Sequence, residues 1–176
     1  PNRFVLSDCN LRLQRSERVG LTGPNGSGKS TLLGLIVGLL HPTAGRVEVF
    51  GKVRCRENDF HEVRRRVGLL FQDSDDQLFC PTVAEDVAFG PLNLGKPREE
   101  VHRIVAQTLD ALGLGGYENR ITYKLSGGEK RLVALATVLV MEPEILLLDE
   151  PFTGLDKSTL ERILDILNHL NISYII

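Results

Sequence analysis

Residues 23–31 read GPNGSGKST, directly after the apolar run Val19–Thr22 and before Leu32, Leu33, Leu35 and Ile36. Gly23, Gly28, Lys29 and Ser30 meet the spacing GxxxxGK followed by Ser or Thr, and strand, glycine loop, helix is the context that spacing requires. Glycines let the main chain wrap close to phosphate oxygens, and the free N–H groups of a helix start point at that negative charge. Asn25, Gly26, Ser27, Gly28 and Thr31 are therefore expected to cradle the phosphates of a nucleoside triphosphate, ATP above all. Lys29 is expected to neutralise the terminal phosphates, and the Ser30 hydroxyl to ligate magnesium. A glycine-rich turn with a surface lysine is the plain alternative. A chance match in a chain of this length has odds on the order of one in a hundred before context is counted.

A second run, Ile145–Leu148, ends in Asp149 and Glu150. Two carboxylates at the end of a buried strand are costly to desolvate unless cations or hydrogen-bond donors meet them. Beside a phosphate loop, Asp149 suits a second magnesium contact and Glu150 a general base or water-orienting group. An acidic turn leaving the sheet for solvent is the bland reading of the same residues.

Working outward, the 176 residues suffice for one main fold, and 25% charged with 42% hydrophobic residues is ordinary for a globular domain. A net charge of −2 gives no reason to expect nucleic acid or an anionic membrane surface as a partner. Arg64, Arg65 and Arg66 read as a solvated helix end. Cys9, Cys55 and Cys80 are odd in number without CxxC or Cys/His spacing, so a disulfide framework and a zinc site lack support and a reducing cytosol fits. The apolar run Leu132–Met141 is about half the ~20 residues a spanning helix needs, so no direct membrane insertion is expected.

Val19–Thr22, Val67–Phe71, Ile145–Leu148 and Ile172–Ile176 have the character of buried parallel strands, and a sheet with helices on both faces follows. Pro97–Leu112 carries Val101, Ile104, Val105, Leu109 and Leu112 at helical spacing, with Pro97 in a first turn and Gly113 as the stop. A helix capped by Asp156 presents Leu160, Ile163, Leu164, Leu167 and Leu170 on one face. The fold class is α/β: a phosphate-loop core with a mostly parallel sheet at residues 1–82 and 143–176. A helical subdomain at 83–142 is inserted into it. Thr82 with Glu85, and Ser126 with Glu129, have the spacing of capping boxes.

Leu125–Glu129 (LSGGE), the glycine loop and the LLLDEP at 146–151 together resemble the ATP-binding subunits of the ABC transporter family, over nearly the whole chain. That resemblance implies a small antiparallel β part in the core, and a head-to-tail pair of subunits, homo- or heterodimeric, with ATP and Mg2+ sandwiched between them. Ser126, Gly127 and Gly128 would then reach the terminal phosphate held by the opposite subunit. It implies that Gln72 senses magnesium and contacts the membrane-subunit interface, and that Asp156 couples the two sites. On local grounds these are a helix cap, an exposed strand end and another cap. Phe71–Asn93, FQDSDDQLFCPTVAEDVAFGPLN, is similar to the subunits of energy-coupling-factor and cobalt or nickel uptake transporters. Asp73, Asp75 and Asp76 form an acidic turn there. Leu78, Phe79 and Phe89 either cement the helices to the core or form a groove for a helix of a transmembrane coupling subunit. The resemblance places such a chain at the cytoplasmic face of the membrane, powering import of a metal ion or a vitamin.

Two features depart from the pattern. The family's adenine-stacking aromatic falls at or before Pro1, and Phe4 is a poor substitute. The histidine expected shortly after Ser173–Ile176 lies past the last residue given, and His41, His61, His102 and His169 stand at the wrong places. The expectation is a chain trimmed at both ends, inactive without that histidine. A non-transport ABC ATPase of DNA repair or translation, and a non-catalytic dimerisation module, are the competing readings.

Overall fold

The computed structural model of this protein describes residues 5–176. Strand β5 (Ile145–Leu148) lies between β4 (Val67–Leu70) and β6 (Ser173–Ile175), and β1 (Arg18–Val19) pairs with β6, giving a parallel sheet of order β1-β6-β5-β4. Register is set by Leu146 opposite Gly68 and Tyr174, and by Val19 opposite Ile175. Residue alternation in β5 sends Leu147 to one face and Leu146 and Leu148 to the other. Leu147 packs with Leu33 and Val37 of α1 (Lys29–Ile36 and its C-cap) and with Phe60 and Val63 of α2 (Glu57–Arg66). Leu146 and Leu148 join α3 (Val83–Asn93), α4 (Arg98–Ala111), α5 (Gly127–Leu139) and α6 (Lys157–His169). Helices thus cover both faces, as the four apolar runs require.

The expected strand Val19–Thr22 is shorter than its sequence suggests. Its one neighbour among the described residues is β6, and after Val19 only the Leu21 amide still bonds across, to Ile176 O at 2.6 Å. The antiparallel part is a hairpin of β2 (Val47–Val49) and β3 (Lys52–Arg54), closed by Phe50 and Gly51, both at positive φ (55° and 69°). Two left-handed residues in a two-residue loop match the twist of the strands. The Arg66 guanidinium stacks on the Phe50 ring at 3.5 Å, and buried Arg54 bonds Glu62 at 2.9 Å, which ties the hairpin to α2. Arg64–Arg66 do end a helix, but Arg64 pairs with Glu57 and Arg66 with Glu144, so only Arg65 is a simple exposed charge.

Between Val83 and Glu142 the described elements are helices and one short 3-10 turn, with no strand. Pro97 stands at the N-cap of α4, one position earlier than expected, while Val101, Val105, Leu109 and Leu112 are buried as their spacing dictates. On α6, Ile163 and Leu167 are buried, but Leu164 is 40% exposed, because it stands a further 100° around the helix from Ile163. Helix α5 lies close on the sheet at Gly68, where a Cβ would come within 2.2 Å of Val138 Cγ1. Cys9, Cys55 and Cys80 are unpaired.

Candidate functional site

Helix α1 begins at Gly28, which adopts φ 99°, a left-handed conformation open to glycine at little cost. No side chain caps it and its first turn holds no acid; among the described residues it is the only α-helix lacking both. Its first N–H groups and the positive end of its dipole are therefore free for an anion. Asn25, Gly26 (φ 78°) and Ser27 complete an exposed loop, and Thr31 lies half-buried one turn into the helix region. The Lys29 ammonium folds back over this loop. It donates to Gly23 O at 3.0 Å and Pro24 O at 3.4 Å, and lies 3.7 Å from Glu150 Oε1.

Where β5 ends, the Asp149 amide continues the sheet by donating to Leu70 O at 3.0 Å. Glu150 then turns left-handed (φ 45°), a conformation that is uncommon for a residue bearing a side chain and clusters at functional sites. Its carboxylate accepts from Gln72 Nε2 at 3.1 Å and from Thr153 Oγ1 at 3.3 Å. Ser30, Gln72 and Asp149 line one open cleft of about 490 Å³, together with Phe71, Asp73, Asp76 and Thr153. No group of three or more His, Cys, Asp or Glu among the described residues suits a metal ion. The donor set, one hydroxyl, one amide and one carboxylate, suits magnesium that takes its remaining oxygens from phosphates and water.

Ser126, Gly127 and Gly128 do not line that cleft. They start α5, where Ser126 and Glu129 form the expected capping box; the Ser126 amide donates to Glu129 Oε2 at 2.8 Å. That bond, with a second from the Tyr117 hydroxyl, holds the Glu129 carboxyl below its ordinary range. Open space surrounds the Cα of Gly127, whereas a Cβ on Gly128 would lie 2.7 Å from Thr159 Oγ1, so the second glycine serves close packing on α6. Asp156 caps α6 through the amides of Ser158 and Thr159, and bonds from Ser158 and Thr159 depress its pKa.

The family description "ABC transporter" matches residues 6–153. The chain belongs to the ABC transporter family. It is 51% identical over 168 residues, 95% of its length, to the energy-coupling factor transporter ATP-binding protein EcfA of Methanothermobacter thermautotrophicus. Among solved structures, cbiO1 of Clostridium perfringens, part of the ABC transporter complex cbiONQ, is 36% identical with a TM-score of 0.83 over 97% of this chain and 70% of that one. A dimeric ATP-binding cassette in a post-hydrolysis state, bound to ADP and Pi, is 30% identical with a TM-score of 0.86, covering 97% of this chain and 79% of the other. Of two relatives 51% and 52% identical, the chain spans only 54% and 63% of the length.

Three residues that line or support the candidate site escape a sequence reading. Thr153 lies in the turn that returns to Glu150, its amide donating to Glu150 O at 3.2 Å, and only the three-residue spacing hints at it. Gln77 accepts from the Phe71 amide at 3.1 Å and donates to Ala134 O and Thr137 Oγ1, both at 2.8 Å. Arg131 is buried, which lowers its pKa while Asp73 and Asp149 pull the other way. An arginine that follows Lys130 at the edge of the apolar run from Leu132 is the signal for it. Phe4 lies outside the described residues, and all four histidines are exposed.

Proposed function

We propose that this chain binds and hydrolyses ATP with Mg2+ and so powers import of a metal ion, cobalt or nickel, or of a vitamin, through a transmembrane coupling subunit. The observation that carries this reading is Glu150, left-handed at a strand end, held by Gln72 at 3.1 Å and 3.7 Å from Lys29 beside an uncapped glycine loop. Asn25–Thr31 would bind the phosphates, with Lys29 drawing their charge. Ser30, Asp149 and Gln72 would hold the magnesium ion, which when bound neutralises the β- and γ-phosphates. Glu150 would take the proton of the attacking water, oriented through Gln72.

Ser126, Gly127 and Gly128, exposed or half-exposed outside the cleft, suit contact with the terminal phosphate bound by a second ATP-binding subunit. The division into a core (1–82 and 143–176) and a helical subdomain (83–142) is part of the same proposal, supported by the all-helical content of the insert. No described helix is long and apolar enough to cross a membrane. Peripheral attachment at the cytoplasmic face, through the partner, is the corresponding placement. EcfA and cbiO1 are named for transport, which favours this over a repair or translation machine.

Full-length Glu150→Gln tests the reading. It is expected to bind ATP, to lose turnover by about a hundredfold or more, and to elute in gel filtration with MgATP as a stable dimer. Unchanged turnover, or no ATP-dependent dimer, would overturn it.

A further inference from the structure

The segment after β4 leaves the sheet before it reaches the cleft. Leu70 O still accepts from Asp149, but the two residues that follow have no strand partner for their main chain. The main-chain bonds they make run to side chains tied to α5. Arg131 donates from Nη1 to Phe71 O at 2.6 Å and from Nη2 to Gln72 O. Gln77 accepts from the Phe71 amide and is itself anchored on Ala134 O and Thr137 Oγ1. Lys130 pairs with Asp75. Residues 130, 131, 134 and 137 lie along one face of α5, so the whole turn 71–77 is clamped to that face.

Arg131 is the expensive member of this clamp. It is 5% exposed, makes no ion pair among the described residues, and its Nε is buried without a partner. A buried cation so poorly paired is a weak choice for stability alone, where an apolar side chain of similar volume serves as well or better. Its fork instead matches two successive carbonyls, a geometry lysine cannot reproduce. The side chain of the second of those residues, Gln72, reaches Glu150 at 3.1 Å.

We propose that Arg131 is a positioning residue: by holding the carbonyls of Phe71 and Gln72 it sets the Gln72 amide on Glu150 and makes that contact follow helix α5. This rests on the ATPase reading above. The helix that starts at Ser126, facing the second copy, thereby fixes a side chain in its own site, so docking of a partner subunit at one end is felt at Glu150.

Arg131→Met and Arg131→Lys in the full-length protein, alone and combined with Gln72→Ala, test this by turnover and by hydrogen–deuterium exchange without nucleotide. Arg131→Met is expected to lower kcat about tenfold with KM for ATP changed less than twofold, and Arg131→Lys to recover only part of it. In the Gln72→Ala background the further loss is expected to vanish, because residues acting as a unit are not additive. Exchange at residues 71–77 should quicken while α5 stays protected. A full tenfold loss on top of Gln72→Ala, or unchanged exchange at 71–77 in either variant, overturns the proposal. A wild-type protein without turnover overturns the ATPase reading instead, and exchange in Arg131→Lys, which keeps the charge, still decides the clamp.

Discussion

Glu150 combines two demands on one residue: a carboxylate aimed back at Gln72 and Lys29, and a main chain at φ 45°. The left-handed region costs an ordinary residue about 1–2 kcal/mol, which glycine escapes at a smaller entropic cost. Glu150→Gly and Glu150→Ala both remove the carboxylate, so comparing them isolates the backbone. The glycine variant is expected to be more stable by about 1 kcal/mol, roughly 2–4 °C in Tm for a domain of this size, with both variants lacking turnover. Equal melting temperatures would mean the turn relaxes once the side chain is gone. At this scale the sequence was legible where chemistry forces a spacing: the glycine loop, because side chains there would keep the backbone from phosphates, and the Asp149–Glu150 pair, because no apolar strand ends that way cheaply. Arg131 and Thr153 were not, since an arginine beside a leucine or a threonine in a turn is commonplace until the fold shows what it touches.

Elements were legible in proportion to their length and to how many faces they bury. Strand β5, buried on both faces, reads as four consecutive apolar residues and runs as expected. Helices α3, α5 and α6 announce their starts through capping residues that do accept the expected N–H bonds. The hairpin β2–β3 is three residues per strand, too short for alternation to stand out, and its Phe50 occupies a left-handed position that sequence rules assign to glycine or asparagine. Val47, Val49 and Phe50 pack against the apolar cluster of α1 and α2, and charge adds to that hold. Glu62 of α2 accepts from Arg54 and then from Lys52, and these bonds pull its carboxyl from an ordinary 4.5 down to about 2. A pKa depressed on folding stabilises above the unfolded value and is lost as pH falls through the folded one. Melting temperature should therefore decline between pH 4.5 and about 2. Glu62→Gln should flatten that part of the decline and lower Tm at pH 7, both read by calorimetry. A variant as acid-sensitive as the wild type would assign the loss to other carboxylates.

On the whole molecule, the side chains expected to join helices to core split between two roles. Leu78 is buried, but Phe79 is 65% exposed and Phe89 47%, stacked edge to face with centroids 4.8 Å apart, and Tyr123 is 73% exposed. Aromatic rings left in water beside one another mark a contact surface more often than a core defect. Their mounting is rigid. Buried Asp86 accepts from the Phe79 and Cys80 amides at 3.0 and 2.9 Å and from the Thr122 hydroxyl at 3.1 Å, joining the loop, α3 and the turn that leads to Ser126. A transmembrane subunit that inserts a helix against Phe79 and Phe89 would push on a body continuous with α5 rather than on a loose loop. Replacing both rings by serine removes surface that is about half exposed, so stability should fall by no more than about 2 kcal/mol. On the proposed transport reading, ATP-dependent dimerisation of the full-length double variant should be unaffected, whereas co-purification with the proposed transmembrane subunit, and any stimulation of turnover by it, should be lost. Retained co-purification would move the docking surface elsewhere. A drop in stability of several kcal/mol would show instead that the pair cements the helices after all.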